Sequence, residues 1–223
     1  MKEILAVLLA IGTACALPSA ADAPAGTEQE SAASCADEAK SQACRGNGER
    51  YTIDSSRTVV TFEVRSLGIF RQRGRFGRSS GSVSLNPRTN EGTFDVVIDA
   101  RSIQAASAAT LQVMRGTGFL NVEKFPEISY KAQRVIFNDG APIRVEGELT
   151  LLGMTHGVPL LVSGYRCTAS GDWAQRRCMV DASASFRRSE FGMTGSIPLA
   201  GNRVRLNIHA EATPACQCVA SAR

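Results

Sequence analysis

Ser79 stands in a Gly-x-Ser-x-Gly motif, Gly77-Arg78-Ser79-Ser80-Gly81, and Asp and His residues follow it in the order of an α/β-hydrolase triad. Such a serine needs a strand, a sharp turn and then a helix, which together lift its hydroxyl clear of the backbone. Here Ser82-Val83-Ser84-Leu85-Asn86 alternates as a strand, and strands do not alternate with helices elsewhere. An esterase using Ser79 is therefore the weakest of three function classes. His156 lies in a turn-like Gly-Met-Thr-His-Gly stretch, and His209 falls on the polar side of its strand. Two isolated histidines do not make a zinc site. Glu146 and Glu148 share a face as an acid/base pair would, but they alternate with an apolar row and read as a solvated sheet face. No catalytic residue and no metal ligand is assigned.

The cysteines and arginines say more. Cys15 falls in an N-terminal apolar segment, leaving Cys35, Cys44, Cys167, Cys178, Cys216 and Cys218. An even count suggests disulfides formed in an oxidising compartment. Cys167 and Cys178 flank a turn at Ser170-Gly171-Asp172 and are the expected hairpin bridge. Parity objects: if Val162 and Val180 face inward, Cys167 points outward and Cys178 inward, so a bulge or an irregular strand end must intervene. The Cys216-x-Cys218 pair could grip a soft metal, but no histidine stands near it. Arg71, Arg73 and Arg75 alternate on one strand face, with Arg78 close by. Such a row could contact a pyrophosphate head or an anionic lipid surface through paired hydrogen bonds; a solvated outer strand face is the alternative.

These residues sit in a chain of 223 with 43% hydrophobic and 21% charged residues, an ordinary globular balance for one domain or two small ones. A net charge of +4 gives no ground for a nucleic-acid partner. Residues 1–21, with Lys2 ahead of a short apolar core and small residues to Ala21, read as a secretory signal peptide. Lipoprotein cleavage before Cys15 is disfavoured, because Gly12 stands where such signals prefer Leu. Residues 22–49 lack large apolar side chains and read as a flexible linker, and 214–223 as a C-terminal tail. Periplasmic localisation is the expectation.

Between them, residues 50–213 alternate with the period of a strand whose one side is buried. Val60, Phe62 and Val64 share a face, as do Phe94, Val96 and Ile98. So do Ile143, Val145, Gly147, Leu149 and Leu151, and likewise Val204, Leu206, Ile208 and Ala210. Turn residues at Asn86-Pro87-Arg88 and Asn138-Asp139-Gly140 punctuate the series. One stretch, Ser107 to Phe119, has helical spacing, and Gly116 and Gly118 keep it short. The reading is all-β: about eight antiparallel strands in a closed barrel or a sandwich, with one short helical excursion.

Several phrases, in order, resemble the YceI-like family of polyisoprenoid-binding, lipocalin-like proteins. They are YTID and TVVTFEVRSLG, then GRFGRSSGSVSLN, FDVVIDARSI, GFLNVEKFPEISYKAQRV, VEGELTLLGMTHGVPLLV and FRRSEFGM. Many members carry an acid and a histidine in the helical excursion, where this chain reads Leu111-Gln112-Val113-Met114-Arg115, so no polar role is carried over to that helix. The resemblance implies a periplasmic, non-enzymatic, lipocalin-like barrel around a long isoprenoid or similar amphiphile, with no other cofactor. Phe62, Phe76, Phe94, Val96, Ile98, Tyr130, Leu149 and Leu160 would line its interior, with Arg71, Arg73 and Arg75 as head-group contacts. The FRRSEFGM loop would close one barrel end. Transient contact with a membrane surface and a homodimer are further expectations. The competing class is a barrel filled by its own side chains, acting as an interaction module of the cell envelope.

Overall fold

The computed structural model describes residues 49–67, 69–168, 175–197 and 199–215. The expectations for the signal segment, for residues 22–48, for the 170–172 turn and for Cys35, Cys44, Cys216 and Cys218 lie outside them. Among the described residues twelve strands form one antiparallel sheet. They are β1 (Glu49–Ile53), β2 (Val59–Ser66), β3 (Phe70–Phe76), β4 (Ser79–Asn86), β5 (Glu91–Asp99) and β6 (Ile103–Ala105). After helix α1 (Ala108–Arg115) come β7 (Glu127–Asn138), β8 (Ala141–Leu151), β9 (Met154–Gly157), β10 (Leu160–Cys167), β11 (Cys178–Arg187) and β12 (Ala200–Pro214).

β1 pairs with both β4 and β12, which closes an eight-stranded ring β1-β4-β5-β7-β8-β10-β11-β12. At 15 residues β12 spans the whole wall: its C-terminal end meets β1 and its N-terminal half meets β2. β2 leads on to β3 and β6, which extend the wall at one end. Closure removes unpaired edges from the ring itself. The Asn138 turn has the form its sequence demands. Asp139 (φ 49°) and Gly140 (φ 76°) both take the left-handed region, as a two-residue hairpin turn between twisted strands requires.

Register shifts occur at several places in the sheet, and two of them change which face a sequence-read residue shows. On β10 the pairing steps from Val162↔Ala182 to Gly164↔Asp181, leaving Ser163 as an extra residue. That step turns Cys167 inward against Cys178, and the two are disulfide-bonded, which resolves the parity objection. On β8 the pairing steps from Arg144 to Pro142 opposite Ile136 and Phe137, so Pro142 is buried. Ile143, expected on the inward row, is instead 44% exposed.

Helix α1 lies across the wide end of the barrel. Ser107 caps it, its Oγ accepting from the Thr110 N–H at 3.1 Å, and Gly116 ends it. Leu111 and Met114 pack on the barrel core together with Phe119 from the following turn.

Candidate functional site

The inward rows do not fill the barrel. A wide cavity of about 530 Å³ lies beneath α1, and a narrow one of about 150 Å³ lies deeper. Val60, Ile98, Leu149 and Leu206 border both, so the two are adjoining parts of one barrel interior, the bore. Phe62 and Phe76 line the wide part; Phe94, Val96, Tyr130 and Leu160 line the narrow part; Ile98 and Leu149 stand where they meet. All eight interior positions read from the sequence therefore face the bore.

Register explains how large side chains share this space. Val96, Tyr130 and Leu149 are direct neighbours across β5, β7 and β8. Small residues oppose the big rings: Gly74 lies opposite Phe62 on β2–β3, and Ala132 opposite Phe94 on β5–β7. A Cβ on Gly147 would stand 2.5 Å from the Tyr130 hydroxyl, so glycine there makes the room that the phenol occupies.

Polar groups along the narrow part are turned away from it. The Tyr130 hydroxyl donates to the Val158 carbonyl at 3.0 Å, and the Tyr51 hydroxyl to Glu49 Oε2 at 2.6 Å. Burial pushes both phenols well above their ordinary pKa, so neither is poised for proton transfer. Ser79 is buried beside this part of the bore, and its Oγ has no partner among the described residues. His209 Nδ1 meets Asp181 Oδ1 at 2.7 Å, but this pair sits at alternate positions to Ile208, Ala210, Val180 and Ala182, which line the bore. The barrel wall thus separates Ser79 from the His–Asp pair, and no triad assembles. His156 belongs to strand β9, not to a turn, with its ring edge-on to Phe191 at 5.0 Å.

The wide part is bordered by Ser66, Gln72, Thr110, Ser196 and Arg188 as well as by carbon. Arg188 is 1% exposed, in a short 3-10 turn ended by Gly192 in the left-handed region (φ 72°). Its Nε donates to the Gly201 carbonyl at 2.9 Å, Nη1 to Met193 at 3.0 Å and Nη2 to Ala200 at 2.7 Å. The guanidinium also stacks over Phe119, 5.4 Å from the ring centre. Burial lowers its pKa, though arginine stays charged. Arg188 belongs to the FRRSEFGM loop expected to close a barrel end, but its burial had no signal, because Arg187 beside it is exposed and a pair of arginines reads as surface.

The arginine row lies outside the bore. Phe76 faces inward, so Arg71, Arg73 and Arg75 point outward by parity, and none of them borders either cavity. Arg73 Nε donates to Glu63 at 3.0 Å, with Arg71 at 3.7 Å from the same carboxylate. The Arg73 hydrogen bond holds Glu63 below the usual carboxylate range. Arg75 donates to Gln104 at 2.8 Å. From β3, Gln72 and Phe76 are the side chains that reach the bore. Among the described residues no three His, Cys, Asp or Glu side chains cluster as a metal site would require.

The sequence profile of the YceI-like domain matches residues 51–212, the span that builds this barrel and its bore. The chain belongs to the YceI-like family. A UPF0312 protein of Enterobacter sp. (strain 638) is 30% identical over 168 residues, covering 72% of this chain and 84% of the relative. A Vibrio cholerae UPF0312 protein is 25% identical over 169 residues, covering 74% and 87%. Among solved structures, BcnA of Burkholderia cenocepacia matches with a TM-score of 0.59 at 20% identity, over 72% of this chain and 99% of the other. A polyisoprenoid binding domain from Saccharophagus degradans, implicated in plant cell wall breakdown, matches with a TM-score of 0.57 at 15% identity, over 74% and 98%. At these identities the solved structures establish the fold alone. Within this YceI-like barrel, α1 carries Leu111 and Met114 against the core, an apolar cover over the wide end.

Proposed function

We propose that this YceI-like protein is an exported carrier that holds a polyisoprenoid, or a similar long-chain amphiphile, in its barrel without catalysing a reaction. One observation carries the reading: an apolar bore runs on from a wide part to a narrow part and stays unfilled by the protein's own side chains. Cavities of this size are ordinary for a sizeable apolar ligand. The narrow part suits a hydrocarbon tail, and the polar residues Ser66, Gln72, Thr110 and Ser196 of the wide part suit a head group. Each buried methylene contributes about 0.8 kcal/mol, so roughly ten of them reach the 8 kcal/mol scale of micromolar binding before ordering costs. The match to a polyisoprenoid binding domain from Saccharophagus degradans and the apolar start of the sequence support the ligand class and the export, respectively.

The test is a native mass spectrum of the chain expressed in a bacterial periplasm, followed by extraction of whatever is bound. A stoichiometric isoprenoid adduct is the expected result. If no adduct forms, and added prenyl lipids also fail to bind, the carrier reading falls and the barrel is an interaction module.

A further inference from the structure

Six large apolar side chains ring the wide end of the bore without cover. Leu67, Ile69 and Phe70 form the β2–β3 tip, Ile197 and Leu199 lie in the loop before β12, and Val113 is on α1; their exposure runs from 40% at Ile197 to 76% at Ile69. The two loops are tied together, since the Leu67 N–H donates to the Leu199 carbonyl at 2.7 Å. Val113 and Leu199 also line the wide cavity, so this ring is the rim of its mouth. Exposed apolar patches of this kind mark contact surfaces.

A cationic row runs beneath the rim. Arg65 lies directly across from Arg71 on β2–β3, and Arg187 directly across from Arg203 on β11–β12. Because β12 also pairs with β2, the four span the contiguous strands β11-β12-β2-β3 on the outer face, and all four are exposed. Arg71 shares Glu63 with Arg73; among the described residues Arg65, Arg187 and Arg203 form no ion pair, and Glu190 is exposed on the turn that follows Arg187. Like charges opposite each other weaken a sheet, so the fold gains nothing from these two pairs. An anionic surface outside the protein would gain from them.

We infer that the rim is a membrane-docking surface, its apolar side chains entering the interface of an anionic lipid bilayer while the four arginines meet the phosphates. Apolar groups backed by basic residues bind such interfaces, and the basic part responds to salt and to lipid charge. The inference rests on the carrier reading, because a long-chain amphiphile is nearly absent from water and must pass between membrane and bore through this mouth.

The experiment is co-sedimentation of the full chain with vesicles of phosphatidylethanolamine and phosphatidylglycerol, against vesicles of phosphatidylcholine alone. The expected result is at least tenfold stronger binding to the anionic vesicles, weakened by 0.5 M salt (about one-half the usual Debye length or less). Ile69→Ser with Phe70→Ser, and separately Arg65→Gln with Arg187→Gln and Arg203→Gln, should each reduce binding about tenfold. These positions are exposed and outside the bore, so thermal melting and retention of a preloaded prenyl lipid should stay as in the wild type. Equal binding to both vesicle types, or variants that bind like the wild type, would overturn the inference. So would a dimer in analytical ultracentrifugation that the Ile69/Phe70 change dissociates while no vesicle binding occurs, since the rim would then be a self-interface. An adduct in the mass spectrum without vesicle binding defeats the docking surface alone; loss of the adduct defeats the carrier reading.

Discussion

Arg188 concentrates three carbonyls from Met193, Ala200 and Gly201 on one buried guanidinium. Arg188→Met keeps the stem but leaves those acceptors buried and unpaired, each at about 1–3 kcal/mol. A loss of several kcal/mol in urea unfolding is expected, and Arg188→Lys should not restore it, because an ammonium lacks the fork that reaches three acceptors. Within the bore, Leu149→Asp should abolish lipid retention by placing a carboxylate where both cavities meet. Val96→Trp provides the uncharged counterpart: it should block the narrow part and lower retention in the native mass spectrum while the melting transition persists. The interior residues were legible from the sequence because period-2 alternation fixes the buried face of a strand. The burial of Arg188 was not legible, since a short 3-10 turn has no period to read and two of its three partners lie on β12.

At the level of elements, the alternation was also what misled. Ile143 belonged to an unbroken apolar row in the sequence, yet it is the unpaired residue of a bulge on β8, which turns it outward and buries Pro142. Ser163 does the reverse service on β10, bringing Cys167 onto the bore side. Bulges leave little trace in composition, so pairing register had to come from the folded sheet. Deleting Ser163 should return Cys167 to the outer face, and non-reducing peptide mapping should then lose the Cys167–Cys178 linkage. Reduction of the intact protein removes a short-loop constraint of about 3 kcal/mol. That corresponds to a fall of roughly 6–12 °C in Tm for a domain of this size, read by scanning calorimetry. An unchanged Tm would mean that the bridge does not constrain the unfolded chain.

Taken as a whole, the barrel has two unlike ends. Strand pairing closes the ring where β1 joins β4 and β12, whereas β6 ends the sheet against α1 and β9 beside the 188–191 turn. Hydrogen exchange should accordingly be slowest in β7 and β8 and fastest in α1 and at residues 194–197, with added ligand slowing the latter. The opposite end is finished by Tyr51 and Cys178 with Tyr165, Cys167 and Ala212 packed against them. A closed floor makes the bore a gauge of chain length. A tail shorter than the bore leaves carbon-lined space empty, and one longer than it must keep its surplus units outside among the rim residues. Affinity along a series of prenyl alcohols should therefore climb with each added unit and then level off, and Tyr51→Ala, by lowering the floor, should move that plateau toward longer chains.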